Sequence, residues 1–202
     1  MLQNFHALFR NRDAMKKDII VAGVGGQGIL LISHIISNAA MHENLFVKQS
    51  FIKGLSQRRG EVFSQIRISD ENVYSPIIPP CNVDLLIGLE PLEAARFVHN
   101  LSPDGHAIVN TEKIEIKNYP ELDDYFPQER CHFIDAKKIA DAVGLAKAEN
   151  MALLGAASTF LPMRNETIMA TMNKVVTKFI DKNIQAYELG KQEACAKKSA
   201  DF

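Results

Sequence analysis

The chain has 202 residues, of which 23 are basic and 24 acidic, so its formal net charge is -1; 47% are hydrophobic. That balance excludes the global electrostatic footprint of a nucleic-acid or anionic-membrane binder, and no run of about 18 apolar residues marks a transmembrane helix. The three cysteines, Cys81, Cys131 and Cys195, are far apart and form no CxxC pair, which argues against a disulfide framework and against a zinc or iron–sulfur site ligated within this chain, and fits a reduced, cytoplasmic compartment.

A chain of this length predicts one domain. Residues 1–14 carry charges without an apolar h-region and read as a short extension; Met15 is the more natural start. Asp18 to Gly23 is a short β-branched run ended by glycine, the pattern of a buried strand. The loop Gly23-Val24-Gly25-Gly26-Gln27-Gly28 follows. Ile29 to Met41 is then apolar almost all round and long enough for a buried helix. Strand, glycine turn and helix open a Rossmann-like unit.

Leu45 to Phe51 is the expected second strand, and Ile52 to Gly60 a polar loop. Glu61 to Ser69 alternates Val62, Ser64, Ile66 and Ile68 with Phe63, Gln65 and Arg67, a strand with one wet or intersubunit face. Asp70 to Asn72 is a turn and Val73 to Ile78 an extended run, so a hairpin and a mixed sheet are expected. Val83 to Leu89 is an apolar strand; Glu90 to Val98 is a helix with Pro91 in its first turn. Ser102 to Gly105 reads as a turn, Ala107 to Asn110 as a strand, Thr111 to Gln128 as irregular, Cys131 to Asp135 as a strand, and Ala136 to Val143 as a helix stopped by Gly144. Met151–Phe160, Thr167–Phe179 and Asn183–Lys191 are helices, and 191–202 is a charged tail. The alternation predicts a single α/β, Rossmann-like three-layer domain with a mostly parallel, mixed sheet.

A glycine loop alone is a weak signal for a nucleotide site. A dinucleotide site expects an acidic residue about 20 positions on, but Val47-Lys48-Gln49-Ser50 contains none. Lys48 leaves a 2′-phosphate, and hence a free-standing NADP enzyme, open. A Walker loop is excluded because Ile29 and Leu30 follow Gly28.

Further segments follow in order: Gly54-Leu55-Ser56-Gln57-Arg58-Arg59-Gly60, Val73-Tyr74-Ser75-Pro76-Ile77-Ile78-Pro79, Leu89-Glu90-Pro91-Leu92-Glu93-Ala94, Asn150-Met151-Ala152-Leu153-Leu154-Gly155-Ala156 and Tyr187-Glu188-Leu189-Gly190. As an ordered set, from Lys16 to Gly190, they resemble the gamma domain of the 2-oxoacid:ferredoxin oxidoreductases. The Glu-Pro-Leu-Glu-Ala and Tyr-Ser-Pro stretches look closest to the small (beta) subunit of the indolepyruvate type. One departure stands out: the family pattern Gly-Met-Ala-Gln-Arg-Gly-Gly has Arg59 in place of a glycine here.

The resemblance implies oxidative decarboxylation of a 2-oxoacid to its acyl-CoA with reduction of ferredoxin. It implies a large (alpha) partner subunit carrying thiamine diphosphate, magnesium and 4Fe-4S clusters, with coenzyme A as co-substrate and no cofactor held by this chain alone. Pyruvate, 2-oxoglutarate and branched-chain types are alternatives. No catalytic residue and no metal ligand is legible. The cofactor- or substrate-facing candidates are Gly23, Gly25, Gly26, Gln27, Gly28, Ser56, Gln57, Arg58 and Glu90. Arg58 is either a carboxylate or phosphate clamp or a solvated, subunit-facing arginine. Glu90 is either a site carboxylate or a helix cap. His34 is expected in the core or at an interface.

Overall fold

The computed structural model describes residues 15–54, 61–116 and 118–200. Six strands form one sheet in the order β2-β3-β1-β4-β5-β6: β1 (Lys16–Val24), β2 (Phe46–Lys53), β3 (Glu61–Ser69), β4 (Val83–Gly88), β5 (Leu101–Asn110) and β6 (Cys131–Ile134). β1, β4, β5 and β6 run parallel, whereas β3 is antiparallel to both β1 and β2. The expected α/β domain with a mostly parallel mixed sheet is therefore present. β1 and β4 are continuous apolar runs because both their faces are covered.

Helices α1 (Ile29–His42), α3 (Ala136–Ala142), α4 (Glu149–Ser158), α5 (Asn165–Val175) and α6 (Ile180–Ala200) share one core with one sheet face. The other face is covered more thinly, by the five-residue α2 (Pro91–Ala95) and by Leu122 and Phe126 from the irregular stretch before β6. Within α1, Ile32, Ile35 and Ile36 are fully buried, each contributing about 1.5–3 kcal/mol of burial. Leu30, His34 and Met41 face outward, so α1 is one-sided, not buried all round, and His34 is not in the core. Asn44, at φ 61, takes the left-handed position that ends the helix.

Two glycines of the late motifs act in packing. A Cβ at Gly155 of α4 would overlap the Tyr187 carbonyl of α6, and one at Gly190 would overlap the Ala152 carbonyl of α4. The two helices therefore cross in backbone contact, and each supplies the glycine the other requires. Tyr187 is fully buried beside this crossing, and its hydroxyl donates to Asn165 Oδ1 at 2.8 Å.

Further expectations change. The expected tail at 191–202 belongs to α6 as far as Ala200, with Ala194 buried in the core, and the helix expected to reach Phe179 ends at Val175. Residues 73–78 do not pair with β3; β3 lies between β1 and β2, and the mixed character comes from that insertion. The 73–78 run is instead held by side chains: Arg67 donates to the carbonyls of Ser75 and Ile77, and Ile78 N donates to Gln65 Oε1 at 2.7 Å. β2 extends over Ile52 and Lys53, positions expected in the loop. Residues 102–105 lie inside β5 as a displacement of its ladder, where the partner shifts from Leu101 to His106 between Val83 and Leu85. Arg130 gathers the carbonyls of Ser102, Pro103 and Gly105 there.

At the start of the sheet, Asp18 is fully buried and faces Arg67 across the β1–β3 ladder, with Arg67 Nε 2.8 Å from Asp18 Oδ1. Lys16 Nζ lies 2.7 Å from the other carboxylate oxygen. Removing the guanidinium leaves a buried carboxylate with one partly exposed lysine and frees the carbonyls of Ser75 and Ile77. Arg67→Ala should lower the unfolding free energy by about 3 kcal/mol and speed proteolysis within residues 73–79. Urea denaturation and limited proteolysis check this; an unchanged midpoint contradicts it.

Candidate functional site

β1, β4 and β5 end along one edge of the sheet, where parallel α/β proteins bind ligands. The glycine loop leaves β1, Leu89 and Glu90 leave β4, and Asn110 ends β5. Gln27 folds back across this edge. Its Oε1 accepts from Val24 N at 2.8 Å, and its Nε2 donates to the Leu89 carbonyl at 3.3 Å. Asn110 Nδ2 donates to the same carbonyl at 3.3 Å and reaches Glu149 Oε2 at 3.5 Å. One carbonyl thus joins the glycine loop, β4, β5 and the first residue of α4.

The glycines are used differently. A Cβ at Gly23 would meet Gln27 Oε1 at 2.7 Å and Leu89 Cβ at 3.0 Å, so Gly23 makes room for the bridge. Gly28 caps α1 at φ 89, and a Cβ there would overlap the Asn150 side chain. Gly26, at φ 100, has nothing within 4 Å of its missing Cβ. Its open side belongs to a cleft, and Gly25 is exposed in the adjoining turn.

The cleft has a volume of about 670 Å³ and lies between the glycine loop, Asn110, the start of α4 and the 175–179 linker from α5 to α6. Asn150 is decisive within it. The residue is only 9% exposed, lines the cleft, and its side-chain amide makes no hydrogen bond among the described residues. The amide lines the open cleft, where it can both donate to and accept from a ligand. The N-terminus of α1 meets the same cleft with no side-chain cap and no acid in its first turn, so its N–H groups favour an anionic ligand group. Lys147 and Lys178 add exposed cationic groups to the lining. Glu149 is half-buried beside them, and burial raises its pKa above the ordinary glutamate value, opposed by the Asn110 hydrogen bond.

Glu90 is placed otherwise. It is fully buried; its Oε2 accepts from Glu93 N to cap α2, and its Oε1 accepts from the Tyr119 hydroxyl at 2.6 Å. Burial, then the hydrogen bond to Glu90, raises the Tyr119 pKa. Both carboxylate oxygens are thus engaged in structure, tying the irregular stretch to the end of β4. Ser56, Gln57 and Arg58 lie outside the described residues.

Lys48 is remote from the glycine loop. It pairs with Arg67, which pairs with Asp18 near the start of β1, placing it two strands aside and about 20 Å back along the strand direction. The NADP reading loses its phosphate ligand by this geometry. Sequence reasoning missed Asn110, Glu149 and Asn150 as site residues. Asn150 had a signal, since it opens a motif at a predicted helix start. Asn110 had none beyond ending a strand. Among the described residues no group of three or more His, Cys, Asp or Glu side chains could hold a metal ion, and Cys81, Cys131 and Cys195 form no disulfide with one another.

Gln27→Ala should cost about 1–3 kcal/mol by leaving Val24 N–H and the Leu89 carbonyl without the bridge; an unchanged denaturation midpoint argues against the bridge. Glu149 has the opposite pH signature from a salt-bridged carboxylate. With its folded pKa raised, its favourable linkage is full below the ordinary glutamate range and is lost as pH rises through the raised value. Glu149→Gln should remove that decline in a stability–pH series, and an identical pH profile contradicts the assignment.

Residues 18–193 match the family model described as pyruvate ferredoxin/flavodoxin oxidoreductase. A relative in Methanothermobacter thermautotrophicus, indolepyruvate oxidoreductase subunit IorB, is 36% identical over 191 residues, covering 87% of this chain and 96% of the relative. The fold is similar to a keto/oxoacid ferredoxin oxidoreductase gamma subunit from Geobacter sulfurreducens, at TM-score 0.70 and 22% identity over 89% of this chain and 99% of that one. It is also similar to 2-oxoglutarate:ferredoxin oxidoreductase from Magnetococcus marinus, solved with 2-oxoglutarate, coenzyme A and succinyl-CoA bound, at TM-score 0.73 and 21% identity; there the match covers 90% of this chain but 31% of that longer chain. With the family model spanning nearly the whole described domain, the chain belongs to the pyruvate ferredoxin/flavodoxin oxidoreductase family.

Proposed function

We propose that this chain is the small subunit of an indolepyruvate-type, aryl-pyruvate:ferredoxin oxidoreductase, and that its cleft holds coenzyme A at the boundary with a large partner subunit. In the reaction the 2-oxoacid loses its carboxylate as carbon dioxide, its acyl carbon bonds to the sulfur of coenzyme A as that thiol releases its proton, and the two electrons pass to ferredoxin. Support for the substrate class comes from the IorB relative, matched over 96% of its length. The unpartnered Asn150 amide in the cleft carries the assignment of the binding role.

Thiamine diphosphate, magnesium and 4Fe-4S clusters, when bound, supply the decarboxylation and electron transfer. Among the described residues no group of three or more His, Cys, Asp or Glu side chains could hold a metal ion, and this reading assigns all three groups to the partner. This chain contributes positioning. Asn150 supplies a donor and an acceptor to the acyl acceptor, as an amide does for another amide. The open Gly26 backbone and the start of α1 take an anionic group. Gln27 and Asn110 fix the loop through Leu89. Gly23, Gly25 and Gly28 shape it, and Ser56, Gln57 and Arg58 are further cofactor- or substrate-facing candidates in this reading. The domain includes α6, whose Ala194 is buried in the main core, and in this reading the working enzyme is cytoplasmic.

Co-expression with the large subunit should give a complex that reduces ferredoxin only when an aryl pyruvate and coenzyme A are both present. In that complex Asn150→Leu should lower kcat/KM for coenzyme A by about tenfold or more, the scale of one lost buried hydrogen-bonding group, with the complex still formed. A purified pair that fails to associate, or whose ferredoxin reduction ignores coenzyme A, contradicts the reading.

A further inference from the structure

The 175–179 linker carries an unusual residue. Phe179 has φ 53, in the left-handed region that bulky side chains avoid. Glycine would sit there without strain. Phe179 is also 64% exposed, so its ring does not stabilise the core. The linker is nevertheless held at both ends. Val175 and Val176 pack against the main core. Asn183, buried in the first turns of α6, donates from its backbone N to the Phe179 carbonyl at 3.0 Å, and from Nδ2 to the carbonyls of Phe179 and Lys178 at 2.9 and 3.2 Å. The surrounding structure thus fixes an exposed aromatic ring in a costly conformation on the rim of the cleft.

We propose that Phe179 is the stacking platform for the adenine ring of coenzyme A, with Lys178 and Lys147 meeting the nucleotide phosphates. The inference rests on the acceptor-binding reading above and assigns the nucleotide end of that ligand to the 175–179 rim. Stacking needs a flat apolar face open to solvent on one side, which a fixed, exposed phenylalanine offers to any base. The two lysines decide between planar ligands. Both line the same cleft and are exposed, suiting a phosphate-bearing adenine. An aryl pyruvate brings a single carboxylate, less charge than the phosphates of the nucleotide, and its ring gains more from a dry pocket.

The test uses the assembled enzyme. Phe179→Gly relieves the backbone strain and removes the ring, so its thermal midpoint should equal or exceed that of the wild type. Its KM for coenzyme A should rise about tenfold, with a larger effect on KM than on kcat. Its KM for pantetheine, which lacks the adenine nucleotide, and its KM for the 2-oxoacid should match those of the wild type. Phe179→Tyr should restore coenzyme A binding to within about twofold. An unchanged KM for coenzyme A, an equal rise for pantetheine, or a rise for the 2-oxoacid instead overturns the proposal. Should wild-type turnover ignore coenzyme A, the reading of the function fails, and stacking is decided on the chain itself. The sequence contains no tryptophan, so Phe179→Trp installs a unique fluorophore. Adenosine 3′,5′-bisphosphate should quench it; no quenching at millimolar ligand overturns the platform.

Discussion

The Leu89 carbonyl is the point on which the functional edge depends. It receives Gln27 from the glycine loop and Asn110 from the end of β5, and Asn110 reaches on to Glu149 at the start of α4. Neighbouring strands lie only about 5 Å apart, so two short amide side chains span the edge. Everything the cleft offers follows from that junction. It fixes where Gly26 opens, where α1 begins and how close Gly28 comes to Asn150. Gly23 has no side chain because Gln27 occupies the space. Individually these hydrogen bonds are modest in net energy. Sharing one acceptor makes the positions of four elements interdependent.

Local patterns made most of the fold legible in the sequence. β1, α1, β3 and β4 have periodicities that leave little choice, and their observed spans follow the expected ones closely. The errors lie where pairing is non-local. The turn at 70–72 suggested a hairpin, but β3 is taken up on both sides by β1 and β2, and the side chains of Arg67 and Gln65 hold the 73–78 run instead. Nothing local in the sequence announces that β3 would insert between β1 and β2. The same insertion moved Lys48 away from the glycine loop.

The site was legible in part. The glycine loop was placed correctly at a strand end, but the role of Gln27 was not visible, because its partners are a backbone N–H three residues back and a carbonyl on another strand. Glu90 was balanced between ligand and cap, and burial with two hydrogen-bond donors decides for the cap. Asn150 opened a motif that supported the family resemblance without declaring its function. Only the three-dimensional neighbourhood reveals that its amide lines the cleft beside the glycine loop. Phe179 is similar: no sequence pattern shows that a phenylalanine takes a positive φ.

The cleft is open, and in the proposed reading it holds and orients the acyl acceptor while a partner subunit brings the reacting carbon. The most direct measurement is hydrogen–deuterium exchange on the assembled pair with and without coenzyme A. Coenzyme A should slow exchange at Gly26-Gln27-Gly28 and at residues 147–150 while leaving β2 and β3 unaffected. Exchange that is unchanged at the glycine loop and at the start of α4, with saturating coenzyme A present, would contradict the account.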